Sequence, residues 1–168
     1  KLLEPLAISM GTEGRVKLPP VTHNNVKVVL PPKARKVYES MKNNYVADLD
    51  ELGLGMANIM TASTAAVLGN KLAQISSGAL YLDEAEQDPL SLKAYRALHD
   101  AKLDAVREIA EAVDSPLLVL YRFRHELIRL QQAFPEAQTT DQPDLQRKWN
   151  SGRIPMLLAH PASAGHGL

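Results

Sequence analysis

The 168-residue sequence predicts an α/β fold whose last third contains a small parallel sheet. Two continuous apolar runs, PLLVLY at residues 116–121 and PMLLAH at residues 155–160, have the pattern of strands that are buried on both faces. An amphipathic segment at residues 124–134 predicts a helix between them. Because parallel strands are joined by a crossover that is usually helical, this order predicts a βαβ unit.

The earlier elements follow from turn residues and helical spacing. Glycines and prolines predict an irregular connector over residues 1–24. The β-branched run NVKVVL predicts a strand at residues 25–30, which ends at a pair of prolines. Three helices are predicted from apolar spacing, at about residues 32–46, 56–79 and 92–113, with the glycine-containing break LDELGLG and the acidic loop YLDEAEQDP between them. One or two further helical turns are predicted at residues 145–150.

The composition limits the possible partners and compartments. Nineteen basic residues balance nineteen acidic ones, so any binding of nucleic acid requires a local basic patch. The chain has no cysteine, which excludes disulfides, thiolate metal sites and a cysteine nucleophile. No apolar run approaches the roughly 20 residues of a membrane span, and no signal peptide is recognisable. We therefore expect a cytoplasmic protein with no membrane partner. The sequence starts at Lys1 without a methionine and stops at GHGL, so we expect the chain to be a piece of a longer one.

Two short motifs resemble functional signatures without completing them. ALYLDEAE, at residues 79–86, looks like the strand end that holds Mg²⁺ in ATPases, but the required phosphate-binding loop is missing from the sequence. We interpret it as an acidic turn that closes a helix. HELIR begins like the zinc signature HExxH, but Arg129 stands where the second histidine ligand should be. His160 and His166 flank the last loop without an acidic residue nearby, so no metal site is predicted.

The loop PASAGHGL follows the second predicted strand. Ligands bind at the carboxyl edge of open parallel sheets, and small residues let a backbone approach a phosphate closely. A plain strand-to-helix turn is an equally good interpretation of this loop. Arg122 and Arg124 follow the other strand and reach the same edge, where guanidinium groups suit phosphate oxygens. A solvated face is the simpler interpretation of these two arginines when they are taken alone.

The order of several segments resembles one family. A helix with Lys102 and Leu103, then PLLVLYRFRHELIRL, then QRKWNSGRIPMLLAHPASAGHGL, resembles the second motor lobe of Swi/Snf-type superfamily-two DNA-dependent ATPases, in the form found in helicase-like proteins of phages and bacteria. VKLPPVTHNNVKVVLPPKARKVYESM resembles the segment that opens this lobe, and NKLAQISSGALYLDE resembles one of its helix ends. The resemblance covers nearly the whole chain.

The resemblance implies an incomplete RecA-like parallel-sheet lobe over residues 25–168. It implies a helical protrusion at about residues 32–79 and a motif-bearing βαβ part at about residues 115–168. Such a lobe contacts the backbone of duplex DNA and closes over ATP and Mg²⁺ that are held mainly by the N-terminal RecA-like lobe of the same chain. The intact protein would be a DNA-dependent ATP hydrolase. This piece lacks the phosphate-binding loop and the arginine-rich motif six, so we expect it to be inactive alone, with no catalytic residue.

The resemblance also assigns roles to individual residues. It implies contacts to the DNA backbone from five residues: Tyr121, Arg122, Arg124, His160 and Ser163. It places Gly165 and Gly167 on the side of the ATP cleft. The chain departs from the family pattern at Ala159-His160, where Ser or Thr is usual, and its loop is about one residue longer. A standalone protein-interaction domain, or a lobe of an RNA helicase or of a restriction translocase, remains an alternative.

Overall fold

The computed structural model describes residues 20–48, 59–82 and 94–164 of the chain. Within these ranges, helices and strands alternate irregularly along the chain. In order they are α1 (Pro32–Asn44), β1 (Val46–Asp48), β2 (Ile59–Thr61), α2 (Ala65–Ser76), β3 (Ala79–Tyr81), β4 (Tyr95–Ala97), α3 (Ala101–Ala112), β5 (Leu117–Leu120), α4 (Arg124–Ala133), β6 (Gln138–Thr139), α5 (Leu145–Asn150), β7 (Met156–Ala159) and α6 (Pro161–Ala164).

The first part of the fold packs α1 and α2 around a short hairpin. Pro32 is the first residue of α1. A proline suits the first helical turn because a backbone N–H at that position would have no partner within the helix. Val37 and Met41 lie one turn apart on α1 and are completely buried, together with Ile75 of α2. The hairpin pairs β1 with β2 in antiparallel register. At the start of α2, the hydroxyl of Thr64 accepts a hydrogen bond from the N–H of Val67 at 3.2 Å.

The second part is a parallel sheet with the order β5–β7–β6. Both β5 and β6 pair with β7 in parallel, so β5, α4 and β7 form the βαβ unit that the sequence predicts. Met156 and Leu158 of β7 pack against Leu130 and Phe134 on and after α4, and side chains of α3 complete this core. All of β7 is buried, as expected for a central strand.

Strand β5 differs from its prediction on one face. Leu117 and Val119 face the core, whereas Leu118 and Leu120 are 49% and 59% exposed. The prediction that β5 is buried on both faces is therefore wrong for the described part of the chain. The reason is its position, since among the described strands β5 pairs only with β7.

Tertiary pairing also shifts several predicted boundaries. The strand predicted at residues 25–30 is not formed, because no described segment pairs with it, and Val26 and Val29 are 58% and 74% exposed. The second helix begins at Ala65, since residues 59–61 pair with β1 instead. The third begins at Ala101, since residues 95–97 pair with β3.

Some of the remaining predictions are confirmed, one is changed, and others lie outside the described residues. The helices predicted at residues 32–46, 124–134 and 145–150 are confirmed with small changes at their ends. ALYLDEAE starts as the strand β3 rather than as a helix end. The rest of that motif, most of the connector and the LDELGLG break lie outside the described residues. Among the described helices, none is long and apolar enough to cross a membrane.

Candidate nucleic-acid interface

The carboxyl ends of β5 and β7 lie side by side, as the parallel register requires. Leu120 is the register partner of Ala159, and the next N–H, that of Tyr121, donates to the carbonyl of Ala159 at 3.1 Å. The rings of Tyr121 and His160 meet edge to face, with centroids 5.5 Å apart. Two of the predicted contact residues therefore touch each other at this edge.

His160 connects the two strand ends through its Nε2, and its Nδ1 makes a local hydrogen bond within the segment that follows β7. Its Nε2 lies 3.2 Å from the carbonyl oxygen of Arg122, and its Nδ1 accepts from the N–H of Ala162 at 3.2 Å. A carbonyl can only accept and an amide N–H can only donate, so this arrangement requires the neutral tautomer protonated at Nε2. Because both nitrogens bind the backbone here, a phosphate contact from His160 would require its ring to exchange one of these hydrogen bonds. That contact stays a prediction.

Arg122 and Arg124 point into solvent because alternate residues of this segment are buried. Phe123 and His125 are buried, and both arginines are exposed. The guanidinium carbon of Arg122 lies 5.2 Å from the centre of the Phe123 ring. Within the described ranges, no ion pair engages either arginine. The carboxyl edge of the sheet thus presents two positive charges that carboxylates of the described chain do not neutralise.

Glu126 anchors the turn that carries these arginines. Its Oε2 accepts the N–H groups of Arg122 and Phe123 at 2.8 Å and 2.9 Å, and its Oε1 lies 3.9 Å from the ammonium of Lys102. Burial raises the pKa of the Glu126 carboxyl, but these two N–H groups, the hydroxyl of Ser77 and the charge of Lys102 lower it further than burial raises it. The side chain is therefore an anion at neutral pH, and it holds the start of α4 in place.

Arg129 fixes α4 to the loops before β3 and after β4. Its Nη1 donates to the carbonyl of Ser77 at 3.0 Å, and its Nη2 lies 2.5 Å from both the carbonyl of His99 and a carboxylate oxygen of Asp100. Its side chain is only 9% exposed. The residue that breaks the zinc-like signature is thus a buried structural cation.

Among the described residues, no three His, Cys, Asp or Glu side chains lie close enough together to hold a metal ion.

His125 lies in a cluster of aromatic rings. It is completely buried, stacks on Phe123 with centroids 5.2 Å apart, and meets Tyr81 and Tyr95 at 5.1 Å and 5.7 Å. Neither ring nitrogen has a hydrogen-bond partner among the residues that the structure describes. Burial is the main cause that lowers the pKa of His125 to about 4. The ring is therefore neutral near pH 7 and serves as an apolar surface behind Phe123.

The structure brings together three of the seven residues that the resemblance singles out: Tyr121, Arg122 and His160. Arg124 is the first residue of α4 and is exposed nearby in sequence. Ser163 belongs to α6, but its side chain is not described, and Gly165 and Gly167 lie outside the described residues. Sequence reasoning missed Phe123 and Glu126. The alternation of basic and aromatic residues in YRFRHE was the signal for Phe123, whereas no motif indicated that Glu126 anchors the turn.

An apolar cavity of about 290 Å³ lies beside the edge of β5. It is lined by side chains of α3, α4 and β5, together with Val26 and Val28. Its polar lining residues are Ser77, Lys102, Glu126 and Arg129.

Comparison with known proteins identifies a long phage relative. Protein p41 of Acyrthosiphon pisum secondary endosymbiont phage 1 is 39% identical to the chain over 148 residues, which are 87% of this chain and 29% of the phage protein. The chain therefore spans less than a third of the length of that relative. No protein-family model matches the chain, and no solved structure matches it significantly.

Proposed function

We propose that the chain is the second RecA-like lobe of a Swi/Snf-type DNA-dependent ATPase, and that the carboxyl edge of its sheet contacts the backbone of duplex DNA. One observation carries the proposal. The exposed guanidinium groups of Arg122 and Arg124 stand at the end of a parallel strand, on a turn anchored by Glu126, beside the end of the neighbouring strand.

Phosphate is the ligand chemistry that fits this edge. Guanidinium groups bind phosphate oxygens in a planar, two-pronged geometry, and the carboxyl edge is where open parallel sheets bind their ligands. Because the chain has equal numbers of basic and acidic residues, attraction to DNA has to come from a local patch of this kind. Contacts to phosphate would position the lobe without reading the base sequence.

In the intact motor, ATP with Mg²⁺ would supply the energy for closing and opening the two lobes. The part of this chain would be to hold one DNA strand through Tyr121, Arg122, Arg124, His160 and Ser163. Gly165 and Gly167 would face the nucleotide cleft. Closure would change how firmly this edge grips the phosphates, which is the two-state coupling that a motor needs. The same lobe geometry would serve an RNA helicase or a restriction translocase.

The binding of labelled duplex DNA by the chain, measured at several salt concentrations, tests the phosphate contacts. We expect Arg122→Ala and Arg124→Ala each to weaken binding and to reduce the slope of log affinity against log salt by about one. Arg107→Ala is the matched control, because Arg107 is an exposed arginine on α3 that already pairs with Asp104 at 2.6 Å. Equal effects of all three substitutions, or no DNA binding by a folded chain, would contradict the proposed interface.

A standalone protein-interaction domain is the second candidate function. Leu118 and Leu120 of β5 are exposed, and Leu120 also lines the apolar cavity, which favours this candidate. This candidate predicts that Leu118→Lys abolishes binding of a protein partner and that duplex DNA has no effect on the chain.

A further inference from the structure

We infer that Phe123 is a positioning residue for Arg122: its ring holds the guanidinium group in the orientation in which Arg122 meets a phosphate. The inference rests on the proposed function only for the identity of the anion. The contact between ring and guanidinium is a property of the chain alone, so it can be tested without DNA.

The contact itself is a cation–π geometry. The guanidinium carbon of Arg122 lies 5.2 Å from the ring centre of Phe123, inside the range of about 6 Å over which such attraction acts. An exposed arginine otherwise samples many rotamers, and it loses that freedom when it binds an anion. A ring beneath the guanidinium restricts those rotamers before binding, so less entropy is lost in the complex.

The ring can do this because it is itself fixed on several sides. Phe123 is 9% exposed, and it stacks on the completely buried His125 with an interplanar angle of 15°. The ring of Tyr81 lies edge to face with it, with centroids 6.4 Å apart, and Glu126 accepts the backbone N–H of Phe123 at 2.9 Å. Because the rings of His125 and Tyr81 and a backbone hydrogen bond hold Phe123 in place, its ring is a rigid support for the guanidinium group of Arg122.

Arg124 provides the internal comparison. It is exposed like Arg122 and lies two residues further along the same turn, but no cation–π contact involves it among the residues that the structure describes. Removing the ring of Phe123 should therefore affect the contribution of Arg122 to binding and leave that of Arg124 unchanged.

Nuclear magnetic resonance of the DNA-free chain tests the support directly. We expect ring currents to shift the Arg122 Hδ protons upfield in the parent chain. The shift should disappear in Phe123→Leu and remain in Phe123→Tyr, which keeps the ring and also shows that the site tolerates substitution. The same upfield shift in Phe123→Leu, or none in the parent chain, would overturn the inference whatever the DNA measurements give.

DNA affinity tests the consequence. Phe123→Leu should weaken duplex binding about two- to fivefold with an unchanged salt slope, because the number of phosphate contacts stays the same. Phe123→Tyr should restore the affinity, and Phe123→Leu should have no further effect in an Arg122→Ala background. If Arg122→Ala weakens binding but Phe123→Leu does not, the positioning role is wrong and the proposed function stands. If DNA does not bind at all, the proposed function fails and the phosphate-positioning role fails with it, while the proton shifts still decide the contact.

Discussion

At the scale of single residues, the turn at Gly78 shows how closely buried polar groups constrain this chain. Its φ of +92° is a conformation that side chains other than glycine rarely adopt. A Cβ at this position would lie 2.7 Å from Nη1 of Arg129 and closer still to the carbonyl oxygen of His99. Both neighbours take part in the hydrogen bonds by which Arg129 fixes α4, so they cannot move away without breaking those bonds.

Gly78→Ala should therefore lower the free energy of unfolding by about 2 kcal/mol or more, measured by urea denaturation. Gly69→Ala is the matched control, since Gly69 lies inside α2 and a methyl group there would have no atom of the described chain within 4 Å beyond its own helix backbone. That substitution should raise the free energy of unfolding by about 0.5–1 kcal/mol, because alanine favours a helix more than glycine does. Equal changes in the two variants would contradict this description of the turn.

The buried imidazole of His125 predicts a loss of stability in mild acid. Its pKa is lowered from 6.5 to about 4, chiefly by burial, with Arg129 and Lys102 acting in the same direction and Glu126 opposing them. Between these pH values the unfolded chain binds a proton that the folded chain does not, so stability falls as the pH falls from 6.5 towards 4. Burial also lowers the pKa of His99, which acts in the same direction.

We expect the free energy of unfolding to fall by about 2 kcal/mol between pH 7.5 and pH 5 through His125 alone. The substitution His125→Phe keeps an aromatic ring without a titrating group, and it should flatten this part of the pH profile. Urea denaturation of the parent chain and the variant at a series of pH values measures the difference. Parallel profiles for the two proteins would show that His125 is not the responsible group.

At the scale of elements, the start of α4 depends on Glu126. Its carboxylate accepts two backbone N–H groups, those of Arg122 and Phe123, that the helix itself cannot pair. Glu126→Ala should lower the free energy of unfolding by about 2 kcal/mol and speed hydrogen exchange at both amides. Glu108→Ala, on the exposed face of α3, should change stability by less than about 0.5 kcal/mol. Unchanged exchange at Arg122 and Phe123 in Glu126→Ala would contradict the anchoring role.

The elements that could be predicted from the sequence are those whose pattern is complete within one segment. The apolar run of β7 and the helical spacing of α4 are local signals, and both elements appear where they were predicted. Strands β1 and β4 were missed because each is three residues long and exists only through pairing with a partner more than ten residues away. Residues 25–30 show the converse, since a strong β pattern forms no strand where no described segment pairs with it.

The same distinction applies to the candidate site. The proximity of Arg122 to His160 could be predicted, because the carboxyl ends of parallel strands meet at one edge. The support of Arg122 by Phe123 and the anchoring by Glu126 could not, because they depend on which side chains of the turn become buried. Local pattern determined where the charges lie, and tertiary packing determined how they are held.

At the scale of the whole molecule, the two parts of the fold are joined both by hydrogen bonds and by a cluster of aromatic rings. Arg129 of α4 binds the carbonyls of Ser77 and His99, and the ring cluster of His125 includes Tyr81 of β3 and Tyr95 of β4. The βαβ part with the candidate DNA contacts is thereby connected to the part that contains α2. In a motor lobe, this connection would make both parts move together when the lobe closes.

If the proposed function is right, the complete polypeptide that contains this chain is an ATPase whose hydrolysis of ATP is stimulated by duplex DNA. The most direct test is the rate of ATP hydrolysis by that polypeptide, measured alone, with duplex DNA and with duplex RNA. We expect duplex DNA to stimulate the hydrolysis of ATP much more than duplex RNA does. Arg122→Ala should weaken this stimulation by raising the DNA concentration that is needed for its half-maximal value. The absence of ATP hydrolysis under all three conditions, by a folded and complete protein, would contradict the account.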